Sequence, residues 1–195
     1  MDALQVRIQA ALEPYVDSIR DCIKSAWDEY RDHFKTFNGI LSSRTRASAI
    51  RDFIIERVQQ AYASDPMVHV ENIRGMLLLV VGTNPEISLR FKKLNRKLLT
   101  SNSRTVQALN YSKQLSIPGL LPETVYLNAG YQLNDTDTDI ECYVTYPNGE
   151  RQIAWYIHLP SKVGTQPIIS IPIEEEKHVV KRVRPKTISI QKQQK

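Results

Sequence analysis

The feature that constrains the fold most is a strict alternation of apolar and polar residues between residues 124 and 159. It occurs in three successive runs. Their apolar members are Val125, Leu127, Ala129, Tyr131 and Leu133, then Ile140, Cys142, Val144 and Tyr146, then Ile153, Trp155, Ile157 and Leu159. Successive side chains of a β-strand point to opposite faces, so a period of two indicates strands buried on one face. The pattern predicts a three-stranded antiparallel meander.

A turn signal, Asn148-Gly149, separates the second run from the third. Asn-Gly is the strongest two-residue hairpin signal, because both residues tolerate the positive φ that the turn requires. Centring the hairpin on this pair predicts that Val144 pairs with Ile153 and Cys142 with Trp155. This register keeps apolar side chains on one face.

The connection between the first two runs is acidic. Asp135, Asp137 and Asp139 match the first half of a calcium-binding EF-hand loop, but the glycine and the final glutamate of such a loop are missing. A four-residue loop over 135–138 would instead pair Leu133 with Ile140. We therefore interpret the aspartates as a hairpin tip and keep them as weak metal candidates. No metal or cofactor is predicted.

Helical periodicity dominates the first third of the chain. Apolar residues recur at three- and four-residue steps over residues 2–35, where Pro14 either kinks one helix or separates two. A second helix is predicted from Ser42 or Ser43 to about Ala63. The period then changes to two, and Met76–Val81 and Glu86–Leu94 are predicted to form a β-hairpin.

Together these segments predict an α+β fold. Two N-terminal helices pack on an antiparallel sheet of about five strands, made of the hairpin and the meander, with a short helix over about 103–114 between them. We divide the chain into a helical N-terminal segment (1–65), a β-rich segment of the same domain (66–160) and a flexible or partner-binding tail (161–195). Within that tail, the apolar stretch 168–173 could add to a sheet edge.

The positive charge lies in the tail. Of 26 basic and 21 acidic residues, eight and three fall within 161–195, which leaves 18 of each in 1–160. The body is formally neutral, so the sequence pI near 9.2 is weak support for nucleic-acid binding by the body.

A basic stretch free of acidic residues runs from 87 to 122. The meander positions predicted to point outward beside it are Tyr126, Asn128, Gln132, Tyr143, Gln152, Tyr156 and His158. Tyrosines beside cations suit a protein interface or stacked bases and phosphates. The candidate partner- or nucleic-acid-binding residues are Arg90, Lys92, Lys93, Arg96, Lys97, Arg104, Tyr143, Tyr156, Lys181, Arg182 and Arg184.

Catalytic patterns are weak in this sequence. The four histidines show no metal-ligand spacing, and the glycines occur singly, without a phosphate-binding loop. A nuclease-type metal site would need Asp135 and Glu141 to meet a strand bearing Glu86 and Arg90, whose spacing is not that of a Glu-x-Lys strand. We lean towards a protein that is not an enzyme.

The expected compartment is the cytoplasm. No apolar run approaches the roughly 20 residues of a membrane span, and the first residues lack the basic start of a secretory signal. Cys22 and Cys142 lie far apart in sequence, which favours buried reduced thiols over a disulfide framework.

Three stretches resemble a known group of proteins: RFKKLNRKLLTSNSRTVQALNY (90–111), IPGLLPETVYLNAGYQLN (117–134) and QIAWYIHL (152–159). They look like small uncharacterised bacterial proteins encoded beside helix-turn-helix/metallopeptidase regulators, in toxin–antitoxin-like or defence-like gene pairs. The resemblance covers about residues 73–159 and carries no catalytic residues. It implies that this chain is one member of a protein pair.

Three hypotheses follow from the sequence. The first is a non-enzymatic protein–protein interaction component, plausible as one member of a bacterial toxin–antitoxin-like or phage-defence pair. The second is a nucleic-acid-binding protein that uses the 90–104 basic stretch and the basic tail. The third is a metal-dependent nuclease-type toxin.

Overall fold

The computed structural model describes residues 3–37, 39–101 and 105–160, and it confirms the α+β class. Within these ranges the helices are α1 Ala3–Leu12, α2 Val16–Phe34, α3 Ser43–Ala61 and α4 Val106–Ser112. The strands are β1 Val68–Ile73, β2 Met76–Val81, β3 Ile87–Lys93, β4 Val125–Leu133, β5 Ile140–Pro147 and β6 Ile153–Leu159. They form one mixed sheet in the order β1-β2-β3-β4-β5-β6.

A proline and a capping serine in the local sequence mark the boundaries of the N-terminal helices. Pro14 lies in a short 3-10 turn, Glu13–Tyr15, which separates α1 from α2. A proline lacks the N–H that a continuous helix would use there. Ser42 caps α3, because its hydroxyl accepts a hydrogen bond from the backbone N–H of Thr45 at 3.1 Å.

The main core lies between these helices and one face of the sheet. Most strand positions predicted to point inward are buried there, including Leu89, Phe91, Leu127 and Tyr131 at 1% exposure or less. From the helices, Ile8, Ile19, Ile23, Ile54 and Val58 pack against them. Leu133 and Tyr146 are only partly buried, and Ile153 lies in a separate small cluster with Leu94 and Leu98. The period-two pattern therefore identified the buried face correctly at most positions.

The sheet has six strands rather than about five, because the sequence reading missed β1. This strand pairs with β2 along its whole length, from Val68 opposite Val81 to Ile73 opposite Met76. Arg74 and Gly75 join the two strands with φ of 51° and 82°. Positive φ at both central residues defines the type I′ hairpin turn.

The prediction of an antiparallel sheet was wrong at one position, because β3 and β4 run parallel. Parallel neighbours require a crossover connection, and residues 94–124 provide it by carrying α4 across the second face of the sheet. The strands approach closely at Gly130, where a Cβ would lie 1.9 Å from the carbonyl oxygen of Lys92. All other neighbouring strands are antiparallel.

The second face of the sheet is partly covered. Tyr111 of α4 packs on Tyr126, with ring centroids 4.9 Å apart. Its hydroxyl donates to the carbonyls of Ser88 and Leu127 at 3.0 and 2.5 Å. Tyr126 and Asn128, which the sequence predicted to face outward, are therefore buried beneath this crossover.

The two meander turns differ in how well the sequence predicted them. Leu133 pairs with Ile140, so the four-residue tip over 135–138 is confirmed. The register at Asn148-Gly149 was wrong, because Val144 pairs with Ile157. The connection is a wider loop over 148–152, and the N–H of Gly149 donates to the carbonyl of Ser112 at 2.7 Å. The loop is therefore held by this hydrogen bond to the end of α4 and does not form the tight two-residue turn.

Candidate interaction site

The last strand, β6, forms one edge of the sheet. Among the residues that the structure describes, it pairs only with β5. Its seven residues are Ile153, Ala154, Trp155, Tyr156, Ile157, His158 and Leu159. None is a lysine, glutamate, aspartate, arginine or proline, the residues that natural proteins use to protect sheet edges. An unpaired edge of this kind presents backbone donors and acceptors to another strand.

An aromatic cluster adjoins this edge on the second face. Tyr143 and Tyr156 meet edge to face with centroids 6.0 Å apart, and the His158 ring lies 5.0 Å from Tyr143. All three side chains are half-buried. The Tyr143 hydroxyl donates to the carboxylate of Glu141, which fixes the ring. Rigid, partly exposed tyrosines are favoured at the centres of protein interfaces.

The end of β6 is held in place by α2. Arg20 is 3% exposed, and its guanidinium donates to the carbonyl of Pro160 at 2.9 Å. The same group forms ion pairs with Asp17 at 2.6 Å and Asp21 at 2.9 Å. An arginine that is held by several hydrogen bonds is more rigid than one held by a single surface ion pair. The edge strand is therefore anchored where the chain leaves it.

The opposite edge, β1, is better protected. Glu71 places a charge within that strand and lies 3.2 Å from the ring of His69. The side-chain amide of Gln107 donates to the carbonyl of Ile73 at 2.9 Å. Charges and side-chain hydrogen bonds on an edge disfavour the addition of another strand. The two edges therefore differ, and among the residues that the structure describes β6 is the less protected edge.

The predicted basic residues do not form one surface. Arg90 and Lys92 lie on the second face of β3, and Arg90 stands over the Tyr111 ring at 5.8 Å. Burial, and then the charges of Arg90 and Arg51, lower the pKa of Lys92 to about 8. Burial also lowers the pKa of Arg90. Both side chains are therefore partly buried against the sheet.

The remaining basic candidates are dispersed. Lys93 follows Lys92 along β3. Burial lowers the pKa of Lys93, the charge of Asp137 raises it, and the charge of Arg46 lowers it. Arg96 pairs with Asp135 at 2.6 Å in an exposed contact, and Lys97 is exposed. Four candidates lie outside the described residues: Arg104, Lys181, Arg182 and Arg184.

The acidic tip is organised by hydrogen bonds and arginines. The Asn134 side-chain oxygen accepts from the backbone N–H groups of Thr138 and Asp139 at 2.9 and 3.3 Å. Asp135 contacts Arg96, and Asp137 lies 4.0 Å from Arg46 of α3. In the described parts of the chain, no group of three or more potential ligands is arranged to hold a metal ion. The three aspartates do not converge on one point.

Both cysteines are buried and unpaired. Burial raises the pKa of Cys142 to about 12, and burial also raises the pKa of Cys22. A thiol needs to ionise to act as a nucleophile, so neither cysteine is poised for covalent chemistry. Over the ranges described, no helix is long and apolar enough to cross a membrane.

Sequence reasoning missed two contributors to these surfaces. Arg51 was not among the candidate residues, because its electrostatic effect on Arg90 and Lys92 depends on how α3 packs. Tyr111 was not singled out, although it positions Arg90 and seals the crossover. No periodic signal marks either residue, since both act through contacts distant in sequence.

Comparison with known proteins gave no identification: no protein family, curated protein or solved structure matches this chain.

Proposed function

We propose that this chain is a non-enzymatic protein–protein interaction component that binds an extended segment of a partner protein along β6. The observation that carries the proposal is the edge of β6, a seven-residue strand without protective charge or proline that no other described strand covers. Strand addition uses the main chain for affinity and neighbouring side-chain sites for specificity. The partner segment would continue the sheet as a seventh strand.

The surroundings of β6 support this mode of binding. Tyr156 and His158 would lie beside the side chains that an added strand presents on the second face, with Tyr143 one strand further in. Such rings contribute contact area with little loss of conformational entropy. Anchoring of Pro160 by Arg20 keeps the strand extended before the partner arrives, and preorganisation of this kind increases affinity.

The resemblance to proteins of paired genes gives the proposal a finer form. The partner is then the product of the adjacent gene, in a bacterial toxin–antitoxin-like or defence-like pair in the cytoplasm. Nucleic-acid binding by the body is less well supported. Of its predicted basic residues, Arg96 is engaged by Asp135, and Lys93 lies near Asp137.

A charge introduced into the edge tests the proposal. Ala154 is exposed on β6, and Ala154→Lys adds the type of side chain that protects natural edges. We expect this variant to lose binding to the adjacent gene product by at least about tenfold, equivalent to about 1.4 kcal/mol. Co-expression followed by size-exclusion chromatography and calorimetric titration measures the loss.

The matched control is His69→Lys, which adds the same side chain at an exposed position of the opposite edge. It should retain full binding. The proposal would be wrong if the wild-type chain ignored that partner, or if both lysine variants reduced binding equally. Circular dichroism would verify that both variants keep the wild-type secondary structure.

A further inference from the structure

Three aromatic rings converge on the second face of the sheet next to β6. Tyr143 of β5 pairs with His158 of β6, and Tyr156 is the preceding residue of β6 on the same face. The two tyrosine rings are nearly perpendicular, with an interplanar angle of 74° and centroids 6.0 Å apart. The His158 ring lies 5.0 Å from that of Tyr143. We call these three side chains the aromatic corner.

The aromatic corner is held in place by the residues beneath it. Tyr143 and Tyr156 pack against a buried apolar cluster of Leu94, Leu98 and Ile153. Both tyrosines remain half-buried, so part of each ring faces solvent. A site that is ordered before its ligand arrives loses less conformational freedom on binding. The rings are therefore suited to contact a partner.

A carboxylate adjoins the aromatic corner. Glu141 lies two residues before Tyr143 on β5, so its side chain leaves the same face, and it accepts a hydrogen bond from the Tyr143 hydroxyl. Glu141 is exposed, and among the described residues no cation forms an ion pair with it. The nearest cation in the same cross-strand row, Lys92, is two strands from Tyr143, beyond Gly130. A negative charge beside ring faces attracts a cation.

We propose that the aromatic corner and Glu141 bind the guanidinium of an arginine in the partner segment that adds along β6. This inference rests on the proposed function, because an added strand would place every second side chain on this face, beside Tyr156 and His158. A guanidinium is planar, stacks on aromatic rings and offers forked donors to a carboxylate. Nucleobases also stack on tyrosines, but Glu141 would repel their phosphates.

Binding of arginine to the full-length chain alone tests the site without the partner. The probe is N-acetyl-arginine methylamide, and its matched control is the citrulline analogue, in which a neutral urea group replaces the guanidinium. We expect the arginine probe to shift the ring NMR signals of Tyr143 and Tyr156 in a saturable way. The citrulline analogue should bind at least about fivefold more weakly. Equal binding of the two probes would overturn the proposal.

Variants divide the binding between ring and carboxylate. Tyr156→Leu and Glu141→Gln should each weaken binding of the arginine probe at least about threefold, whereas Tyr156→Phe keeps the ring and should bind like wild type. The matched charge control is Glu150→Gln, which removes an exposed carboxylate from the loop before β6 and should also bind like wild type. Unchanged binding in Glu141→Gln, or an equal loss in Glu150→Gln, would overturn the proposal.

A further variant separates the charge of Glu141 from its hydrogen bond. Tyr143→Phe removes the hydroxyl that donates to Glu141 but keeps both the ring and the carboxylate. It should retain binding of the arginine probe. A loss as large as that of Glu141→Gln would mean that the carboxylate only positions the ring, and would overturn the proposal.

Competition with a nucleotide tests the alternative ligand. Uridine monophosphate should bind the aromatic corner more weakly than the arginine probe does, because Glu141 repels its phosphate. Tighter binding of the nucleotide than of the arginine probe, strengthened further by Glu141→Gln, would overturn the proposal in favour of a nucleobase.

Titration with the adjacent gene product distinguishes failure of this inference from failure of the proposed function. Glu141→Gln should weaken the complex at least about threefold, and Glu150→Gln should not. Protection of β6 from hydrogen exchange, with equal affinity of wild type and Glu141→Gln, would overturn the inference alone. Absence of any complex with wild type would overturn the proposed function, while selective binding of the arginine probe would still support an arginine site at the aromatic corner.

Discussion

Lys92 shows how the surroundings of a single residue in this fold can disfavour its charge. Burial and the neighbouring arginines lower its pKa to about 8, so the folded state disfavours its charge. A lysine in an ordinary environment keeps its proton to about pH 10.4. The unfolded chain therefore binds the proton more tightly than the folded chain, and the charge destabilises the fold at neutral pH.

This gives a signed prediction for stability. Below about pH 8, Lys92→Met should raise the free energy of unfolding by about 1–2 kcal/mol, after allowance for solvent screening. Between about pH 8 and 10.5 the folded wild type loses this proton first, so its stability increases and the difference shrinks. Urea unfolding of both proteins across this range checks the prediction. A difference that stays constant with pH would contradict it.

The two cysteines make a second prediction at the residue scale. Both thiols are buried, and burial raises the pKa of Cys142 to about 12. At about pH 8 the native protein should react with a thiol reagent such as Ellman's at a rate set by opening of the fold. Both thiols should react at once in denaturant. Rapid labelling of either one in the native state would show that the core is more accessible than described.

At this scale the sequence was a good guide to which face each strand residue occupies. Alternation assigned Tyr131 and Cys142 inward and Glu141 outward correctly, because burial on one face enforces the pattern. It could not assign Tyr126 and Asn128, since a polar or aromatic residue gives no sign that a crossover helix covers it. The effect of the Arg51 charge on the pKa of Lys92 depends on how α3 packs and was equally hidden.

At the scale of elements, the parallel pairing of β3 and β4 depends on one close approach. A Cβ at Gly130 would meet the Lys92 carbonyl oxygen at 1.9 Å and the Leu94 side chain at 3.3 Å. Backbone atoms cannot yield as the end of a flexible side chain can. A larger residue would force the two strands apart at the position where the crossover begins.

Gly130→Ala should therefore destabilise the fold by about 2–4 kcal/mol, within the range of severe steric substitutions. Gly39→Ala is the control, because a Cβ there has no neighbour within 4 Å. Thermal or urea denaturation of the two variants measures the difference. Equal stability of both would mean that the strands are not held as closely as the register indicates.

The acidic tip yields a prediction that separates a structural loop from a metal loop. Asn134→Ala removes the acceptor for two backbone N–H groups and should cost about 1–2 kcal/mol. Asp135→Asn weakens an exposed pair with Arg96 and should cost less than about 0.5 kcal/mol. Both effects should be the same with EDTA and with millimolar Ca²⁺ or Mg²⁺. Stabilisation by either cation that Asp135→Asn abolishes would support a metal site.

The turns show why element boundaries were easier to predict than pairing. The tip over 135–138 follows from alternation alone, and Leu133 does pair with Ile140. The register predicted from Asn148-Gly149 was wrong because of a contact outside the hairpin, the hydrogen bond from the Gly149 N–H to the Ser112 carbonyl. The assignment of residues to the two faces was still correct. The partner of Val144 is Ile157 rather than Ile153, and a shift by an even number of residues keeps each side chain on the same face.

At the scale of the whole molecule, the sheet is asymmetric. Its interior face is sealed by α1, α2 and α3, and α4 covers part of the other face. Of the two edges, β1 carries Glu71 and a side-chain hydrogen bond, whereas β6 carries neither charge nor proline. The class of fold could be predicted from the segregation of helices and strands along the chain. The identity of the edges could not, because it depends on the parallel β3–β4 pair and on the missed strand β1.

Hydrogen exchange at β6 is the most direct test of the account. In the isolated full-length chain, we expect edge-facing amides among residues 153–159 to exchange rapidly. Addition of the adjacent gene product should protect them at least about tenfold, with no change over Val68–Ile73 on the opposite edge. Amides of β6 that are already protected in the isolated chain, or that remain unprotected in a saturated complex, would contradict binding by strand addition.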